Sequence, residues 1–319
     1  MKTENLYDII IIGAGPAGLT AGLYSSRRTL KTLILSKDLG GQAAITYEVE
    51  NYPGVDLTDG FSLMKRFAES AQKFGAEIKY NEVKEIKKQE NKFLVKTDDR
   101  EFTAKTLVLA FGLMPSDLNI PGEKEFKGHG VSYCATCDGP LFKNKTVAVI
   151  GGGNSAIDAA EYLAKLAAKV YLIHRRDQFR GEKVILEKLK NNPKVEMVLS
   201  SEIKEIKGNG LVKSIVITDN GHGQLKEIKV DGVFVEIGYK PKTELVKDLV
   251  KLNERGEIIT DKDSNTSQPG IFACGDVTDS SYKQIVISAG EGAKAALQAY
   301  KYLWLQKDEH ILPDWEQKK

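Results

Sequence analysis

The sequence predicts an α/β protein in which one βαβ pattern occurs twice, 138 positions apart. Each copy begins with a short apolar run typical of a buried parallel strand, at residues 7–12 and 146–150. A glycine-rich turn, a helical segment and a second apolar run (residues 31–35 and 169–173) follow in each copy. A repeat of this length indicates two domains rather than a solenoid. The 319 residues also exceed the size at which a single hydrophobic core stops growing.

Both copies continue in the same way after the second strand. A strand-rich stretch follows in each, at residues 78–109 and 195–217, and each copy closes on an apolar strand that ends in a glycine, Gly112 or Gly238. The two units are therefore expected to share one architecture over most of their length.

The composition is that of an ordinary soluble protein, with 41% hydrophobic and 28% charged residues and a net charge of +2. That charge gives no indication of nucleic acid or an acidic membrane surface as a partner. No apolar stretch approaches the roughly 20 residues that span a bilayer. A polar N-terminus without a hydrophobic signal region predicts a cytoplasmic protein. Three cysteines are too few for a secreted disulfide scaffold, and two of them three positions apart indicate redox chemistry or a metal site.

The two glycine-rich turns match the G-x-G-x-x-G/A pattern of dinucleotide-binding folds, each between a strand and a helix. The first glycine permits a tight turn, the second lets backbone N–H groups approach a pyrophosphate, and the third small residue keeps helix and strand close. The alternative is two ligand-free turns, which the coincidence of two copies disfavours. Two Rossmann-like domains of three ββα layers are therefore predicted. The candidate nucleotide-binding residues of the turns are Gly13, Gly15, Pro16, Ala17 and Gly18, and Gly151, Gly153, Asn154, Ser155 and Ala156.

Arginines follow the second strand of the second unit, where the adenosine ribose of a bound nucleotide is expected. Three guanidinium groups within six positions form a fork suited to a 2′-phosphate, which predicts NADPH rather than NADH. The alternative is a solvated basic loop. The candidate residues are His174, Arg175, Arg176 and Arg180. The corresponding residue of the first unit is Ser36, which can hydrogen-bond a ribose but does not by itself establish FAD.

A glycine and an aspartate, Gly275 and Asp276, follow an apolar run after the second unit has ended. The aspartate can accept hydrogen bonds from a flavin ribityl chain, and the glycine allows a close approach, so this segment supports FAD as the ligand of the first unit. The alternative is that Asp276 caps the helix predicted at residues 293–303.

The close cysteine pair, Cys134 and Cys137, has two interpretations. Half of a zinc site would need two more ligands, and neither Cys274 nor the four scattered histidines repeat a metal-ligand spacing, so no metal is predicted. A redox disulfide needs only this pair, and the neighbouring Asp138 can protonate a leaving thiolate. NADPH, a flavin and a dithiol together form an electron path, in which the flavin is required because hydride chemistry belongs to cofactors.

These motifs resemble those of the low-molecular-weight thioredoxin reductases over nearly the whole chain. The matching segments are residues 13–18, 40–42, 48–54, 134–139, 151–156 and 174–180, and the pairs 275–276 and 283–284. The resemblance implies an FAD domain of residues 1–113 and 243–319, with an NADPH domain, residues 114–242, inserted into it and carrying the cysteine pair. Ser36 departs from the acid more common at its position. The further candidate FAD-binding residues are Gly41, Gln42, Asn51, Gly112 and Gln284.

The resemblance also implies a division of roles within the cysteine pair. Cys137 faces the flavin, Cys134 attacks the partner's disulfide, and Asp138 donates a proton. The implied partner is thioredoxin or a thioredoxin- or glutaredoxin-like dithiol protein, and the implied assembly is a homodimer. Domain rotation is expected about hinges near residues 113–115 and 238–243.

Other classes remain as alternatives. A reductase of the same architecture can serve a glutaredoxin-like or peroxiredoxin-linked protein, although the alkyl-hydroperoxide reductase flavoproteins carry an additional N-terminal dithiol domain and here Tyr7 already begins the first strand. A non-catalytic redox sensor would not need the complete path from Arg175 to Asp138. Ferredoxin–NADP reductases lack the dithiol. Cys274 is expected to pack beside the flavin rather than to form a third redox centre.

Overall fold

The computed structural model describes residues 6–46, 49–219 and 223–305. Glu48 of the matching segment 48–54, His222, His310 and the predicted end of the FAD domain, residues 306–319, lie outside them. The chain divides into two compact units, Met1–Leu113 with Lys240–Lys319, and Met114–Tyr239. The second segment of the first unit thus begins at Lys240, close to the predicted residue 243.

The described residues form helices and strands in the alternating order that the sequence predicts. The strands are β1 (Leu6–Ile12), β2 (Thr32–Ser36), β3 (Glu77–Tyr80), β4 (Val83–Gln89), β5 (Lys92–Thr97), β6 (Glu101–Leu109), β7 (Met114–Pro115), β8 (Val131–Ser132), β9 (Thr146–Ile150), β10 (Lys169–Ile173), β11 (Val195–Val198), β12 (Ser201–Asn209), β13 (Leu211–Asp219), β14 (Leu225–Lys229), β15 (Gly232–Val235), β16 (Tyr239–Lys240) and β17 (Ile271–Ala273). The α-helices are α1 (Pro16–Arg27), α2 (Gly41–Ala44), α3 (Gly60–Lys73), α4 (Ala135–Asp138), α5 (Asn154–Leu166), α6 (Lys183–Lys190) and α7 (Ile285–Leu305), with a 3₁₀ turn at Gly139–Phe142.

The first unit is built on a sheet of order β3-β2-β1-β6-β5-β4, with β17 also paired to β6. Strands β3, β2, β1, β6 and β17 run parallel, whereas β4 and β5 pair antiparallel. Successive side chains of a strand point to opposite faces, so Ile9 and Ile11 of β1 enter one core with the helices while Ile10 and Ile12 enter the core on the other face. Both faces are buried, which explains the continuous isoleucine run.

The second unit has a parallel sheet of order β11-β10-β9-β15-β8 and a separate antiparallel sheet of order β12-β13-β14. Helix α5 covers one face of the parallel sheet through Ile157 and Leu163. Residues of the antiparallel sheet, including Ile206 and Ile215, pack against Ile150 and Val235 on the other face. The predicted α/β class with two Rossmann-like parallel sheets is confirmed.

Helix α7 begins at Ile285, well before the predicted residue 293. Gly290 and Gly292 lower the helix propensity of this stretch, but tertiary packing overrides it. A side chain at position 292 would collide with the backbone of Ala17 in α1, so the glycine allows the two helices to pack closely. Among the described helices, none is long and apolar enough to cross a membrane.

The two segments that connect the units pair with each other as strands β7 and β16. The Ser116 N–H donates to the Gly238 carbonyl at 2.9 Å. Gly238 has a φ of 100°, a conformation that side chains rarely adopt, which accounts for the glycine at the end of the β15 segment. The paired segments include residues of the ranges 113–115 and 238–243, and domain rotation about them stays a prediction.

Candidate active site

The cysteine pair of the second unit lies at helix α4. Cys134 and Cys137 form a disulfide with their Cα atoms 5.4 Å apart. Cys134 is the N-cap residue, and its Sγ accepts the backbone N–H of Cys137 at 3.1 Å. The Ser132 hydroxyl accepts the Cys134 N–H at 3.0 Å and donates to the Cys134 carbonyl at 3.2 Å. A sulfur that accepts a backbone N–H at a helix N-terminus is well placed to carry negative charge, so the geometry favours Cys134 as the thiolate after reduction.

Asp138 ends the same turn, and its backbone N–H donates to the Cys134 carbonyl at 3.2 Å. Its carboxyl group is therefore carried on the same turn as both sulfurs. Cys137 is exposed and Cys134 is half-buried. The bond between the two cysteines fits the redox interpretation, and the part of the chain that the structure describes contains no cluster of His, Cys, Asp or Glu able to hold a metal ion.

A buried carboxyl group that the sequence did not single out lies beside this turn. Glu236 follows β15, is 9% exposed, and accepts a hydrogen bond from the backbone N–H of Ala135, the first residue of α4. Burial, with a smaller contribution from the charge of Asp158, raises the pKa of Glu236 to about 7. The signal in the sequence was a lone acid at the end of the apolar run Val233–Val235.

The two glycine turns leave different amounts of space. In the first unit a side chain at Gly18 would collide with the carbonyl of Gly13, so only glycine fits. In the second unit Ala156 fills the equivalent position. The second glycine of each motif is the N-cap of its helix in an extended conformation, and neither helix has a side-chain cap.

The space around those N-cap glycines fits a nucleotide. A Cβ atom at Gly153 would meet nothing within 4 Å, and one at Gly15 would make only an ordinary contact of 3.7 Å with the Gly40 carbonyl. Open space at a helix N-terminus with uncapped N–H groups suits a pyrophosphate. The neighbouring candidates Asn154, Ser155, Pro16 and Ala17 lie in the first turns of α5 and α1.

The basic loop follows β10 and folds back onto the glycine turn. The Arg180 N–H donates to the Gly152 carbonyl at 2.8 Å, and the His174 ring stacks on Phe179 with the centroids 5.4 Å apart. Burial, reinforced by the charges of Arg180 and Arg175, lowers the pKa of His174. The His174 Nε2 atom is buried and has no hydrogen-bond partner among the described residues. Arg175, Arg176 and Arg180 are exposed.

Several residues of the first unit that were predicted to bind FAD have defined positions and contacts. The Asn51 side-chain amide donates to the Gln284 carbonyl oxygen at 3.3 Å, although the two residues are 233 positions apart. Ser36 ends β2, Gly41 and Gln42 begin α2, and Gly112 has a φ of 62° with open space around it.

Asp276 follows β17 and is partly buried, and its Oδ1 atom accepts from the Ser288 hydroxyl at 3.1 Å. Burial raises its pKa, since desolvation is the largest influence on the carboxyl group. The alternative that Asp276 caps the C-terminal helix is wrong, because α7 begins at Ile285. A carboxylate held in this way, beside Gly275 at φ 76°, fits a polyol chain that offers hydroxyl donors.

The third cysteine is chemically inert in this setting. Cys274 is 1% exposed within the core of the first unit. Burial raises the pKa of its thiol well above the ordinary value. The residue therefore contributes packing, as a buried cysteine commonly does.

Known proteins are similar to this chain in both sequence and fold. The profile of the family described as pyridine nucleotide-disulphide oxidoreductase matches residues 7–292. A thioredoxin reductase of Peptoclostridium acidaminophilum is 43% identical over 308 residues, which cover 94% of this chain and 98% of that protein. The crystal structure of Lactococcus lactis thioredoxin reductase has a TM-score of 0.85 at 40% identity, over 94% of this chain and 99% of the other. A ferredoxin-flavin thioredoxin reductase of Clostridium acetobutylicum has a TM-score of 0.54 at 31% identity, over 95% and 99%.

Proposed function

The chain belongs to the pyridine nucleotide-disulphide oxidoreductase family, among its thioredoxin reductases, and we propose that it passes electrons from NADPH through FAD and the Cys134–Cys137 pair to oxidised thioredoxin. The observation that carries this proposal is the disulfide at α4, in the unit that also holds a glycine turn and a basic loop. When bound, FAD supplies the two-electron exchange between a nicotinamide and a dithiol, chemistry that no side chain provides.

The dithiol step follows from the geometry of α4. The reduced Cys134 sulfur, stabilised as a thiolate by the Cys137 N–H, attacks the disulfide of the partner and forms a mixed disulfide. The partner's released thiolate takes a proton from Asp138, in the role that the resemblance assigns to this residue. The Cys137 sulfur then attacks Cys134, which restores the disulfide and releases the reduced partner.

The two nucleotides are assigned to separate units. We assign FAD to residues 1–113 and 243–319, where Gly15, Ser36, Asp276 and the Asn51–Gln284 pair are the binding residues that the geometry supports. NADPH is assigned to residues 114–242. There Gly153 admits the pyrophosphate, and the exposed guanidinium groups beside His174 suit the 2′-phosphate.

The decisive experiment is anaerobic mixing of the purified yellow enzyme with NADPH and then with oxidised thioredoxin or glutaredoxin. We expect the flavin absorbance to bleach on addition of NADPH and to return when thioredoxin is added. The variant Cys134→Ser should keep the first step and lose the second, because the flavin still accepts hydride but the attacking sulfur is gone. Turnover of thioredoxin by Cys134→Ser would contradict the assignment, and turnover with glutaredoxin alone would identify a different partner.

The electron donor is tested separately, because one similar structure is a ferredoxin-flavin enzyme. Exposed guanidinium groups at a nucleotide-binding turn favour NADPH. Replacing Arg175 and Arg176 together with alanine should raise the KM for NADPH by about tenfold to a hundredfold, corresponding to about 1.4 to 2.7 kcal/mol. The KM for NADH should change little. Equal use of NADPH and NADH by the unaltered enzyme, or reduction by ferredoxin alone, would refute the NADPH assignment.

The assembly and location are proposals drawn from the resemblance to thioredoxin reductases. We propose a homodimer in the cytoplasm. Light scattering after size-exclusion chromatography should then give twice the chain mass of 35.2 kDa, whereas the chain mass itself would exclude the dimer. Fractionation of cells that express the tagged full chain tests the location.

A further inference from the structure

Glu236 is a buried acid that the reaction described above leaves without a role. It lies between the two features of the second unit that carry function. Its N–H donates to the Ile150 carbonyl at 2.8 Å, at the start of the glycine turn, and a side chain at Gly151 would collide with its carbonyl group. Its side-chain carboxylate contacts the first residue of helix α4.

The contact at α4 joins Glu236 directly to the redox pair. The carboxylate accepts the N–H of Ala135, and Ala135 follows Cys134, whose Sγ caps the same helix. One hydrogen bond and one peptide unit therefore separate the Glu236 carboxylate from Cys134. A charge on Cys134 acts on the Glu236 carboxylate, because Glu236 is only 9% exposed and water screens the interaction incompletely.

The charged surroundings of Glu236 are acidic. The charge of Asp158 in α5 raises the pKa of Glu236. The charges of Glu182 and Glu161 in turn raise the pKa of Asp158. Tyr239 at the end of the unit has its pKa raised by burial and by the charge of Glu236. Burial and the neighbouring carboxylate both oppose ionisation, so the pKa of Glu236 rises to about 7. Near neutral pH, a small change in the nearby charge therefore changes the protonation of Glu236.

We propose that Glu236 is a positioning residue for the redox pair, which holds the first turn of α4 and takes up a proton when the Cys134–Cys137 disulfide is reduced. Two electrons break the S–S bond and leave two sulfur anions. One sulfur takes a proton, Cys134 remains a thiolate, and its new negative charge draws a second proton from solvent onto the Glu236 carboxylate. Oxidation of the pair by the partner's disulfide releases both protons again.

This inference rests on the proposed function, because it requires the pair to be redox-active. The test is the equilibrium of the FAD-loaded enzyme with reduced and oxidised dithiothreitol from pH 6 to 9, with thiols counted after an acid quench and alkylation. An extra proton taken up on reduction changes the equilibrium constant by up to tenfold per pH unit. Dithiothreitol releases two protons when it reduces the pair, so an enzyme that takes up only one of them has an equilibrium constant that rises about tenfold per pH unit, and uptake of a second proton cancels this rise. We therefore expect the constant of the unaltered enzyme to rise about threefold to tenfold less per pH unit between pH 7 and 8 than that of Glu236→Gln.

Glu236→Gln keeps an oxygen that accepts the Ala135 N–H but cannot titrate, so a purely structural role would leave the pH dependence unchanged. Glu182→Gln is the matched control, because it removes a charge from the same acidic group without a contact to α4, and it should behave as the unaltered enzyme does. Equal slopes for Glu236→Gln and the unaltered enzyme overturn the inference. A pair that dithiothreitol cannot reduce in any of the proteins overturns the proposed function instead.

If Glu236→Gln does not fold, infrared difference spectra of the unaltered enzyme decide the matter. Reduction at pH 7.5 should produce a protonated carboxyl band that shifts when the glutamates carry ¹³C, which assigns the band to a glutamate rather than to Asp138. The band should persist in Glu182→Gln. Its absence from the unaltered enzyme overturns the inference.

Discussion

The open space at Gly153 leads to a prediction that separates folding from binding. The residue is the N-cap of α5 with φ −99° and ψ −174°, a conformation that alanine adopts without strain. A Cβ atom there meets no protein atom within 4 Å. Gly153→Ala should therefore fold normally, and the added methyl group should occupy the space into which the pyrophosphate of NADPH approaches.

The expected magnitudes for folding and binding differ. For folding, the reduced freedom of the unfolded chain stabilises the variant by about 0.4 to 1 kcal/mol. The weaker N-cap preference of alanine offsets this by about 1 kcal/mol, so the free energy of unfolding should change by less than about 1 kcal/mol. For binding, loss of the close approach should raise the Kd of NADPH at least about tenfold, which corresponds to 1.4 kcal/mol.

The assay is anaerobic titration of the FAD-loaded enzyme with NADPH in a stopped-flow instrument, together with the thermal unfolding midpoint. Gly15→Ala is the matched control, because it occupies the equivalent N-cap position of α1 and also has room for a Cβ atom. It should weaken FAD retention and leave the Kd of NADPH unchanged in enzyme that still holds FAD. An unchanged Kd in well-folded Gly153→Ala would refute the assignment of this turn to the NADPH pyrophosphate.

Three further predictions concern stability and reactivity. Gly18→Ala should destabilise the protein by at least about 2 kcal/mol in chemical denaturation, because the new Cβ would collide with the Gly13 carbonyl. Gly290→Ala should instead stabilise it by about 0.5 to 1 kcal/mol, because the residue lies in a helix and a Cβ atom there meets no other atom within 4 Å. Burial raises the pKa of Glu236 from 4.5 to about 7. The unfolded chain therefore loses this proton at a lower pH than the folded chain, and the free energy of unfolding falls as the pH rises from 4.5 to about 7. Glu236→Gln should remove up to about 3 kcal/mol of that fall, and parallel stability curves would contradict the raised pKa. Iodoacetamide should label two cysteines in the reduced native enzyme and the third, Cys274, only after denaturation; rapid native labelling of all three would show that its burial is wrong.

The features predicted correctly from the sequence are those encoded by neighbouring residues. The isoleucine run of β1 and the glycine turn after it are local signals, and the structure has a strand and a helix start where those signals occur. Disulfide formation by Cys134 and Cys137 also follows from a spacing of three positions within one turn.

The features that were missed depend on contacts between distant residues. The start of α7 was predicted too late, because the glycines that weaken the helix are explained only by its packing against Ala17. Glu236 was passed over because its sequence neighbours do not reveal that it would be buried against Ala135, about 100 positions earlier along the chain. The contact of Asn51 with Gln284 spans 233 positions, and only the resemblance brought both residues into the candidate FAD site.

The pairing of β7 with β16 brings the two ends of the unit of residues 114–239 together. The chain enters and leaves this unit through two adjacent strands, so its ends already lie side by side. An insertion with neighbouring ends adds little loop-closure entropy to its host, which is why such sites tolerate the gain or loss of whole domains. This unit carries the disulfide, the glycine turn and Glu236 together, whereas the residues assigned to FAD belong to the other unit, so the dithiol and its reductant are encoded in separate parts of the chain.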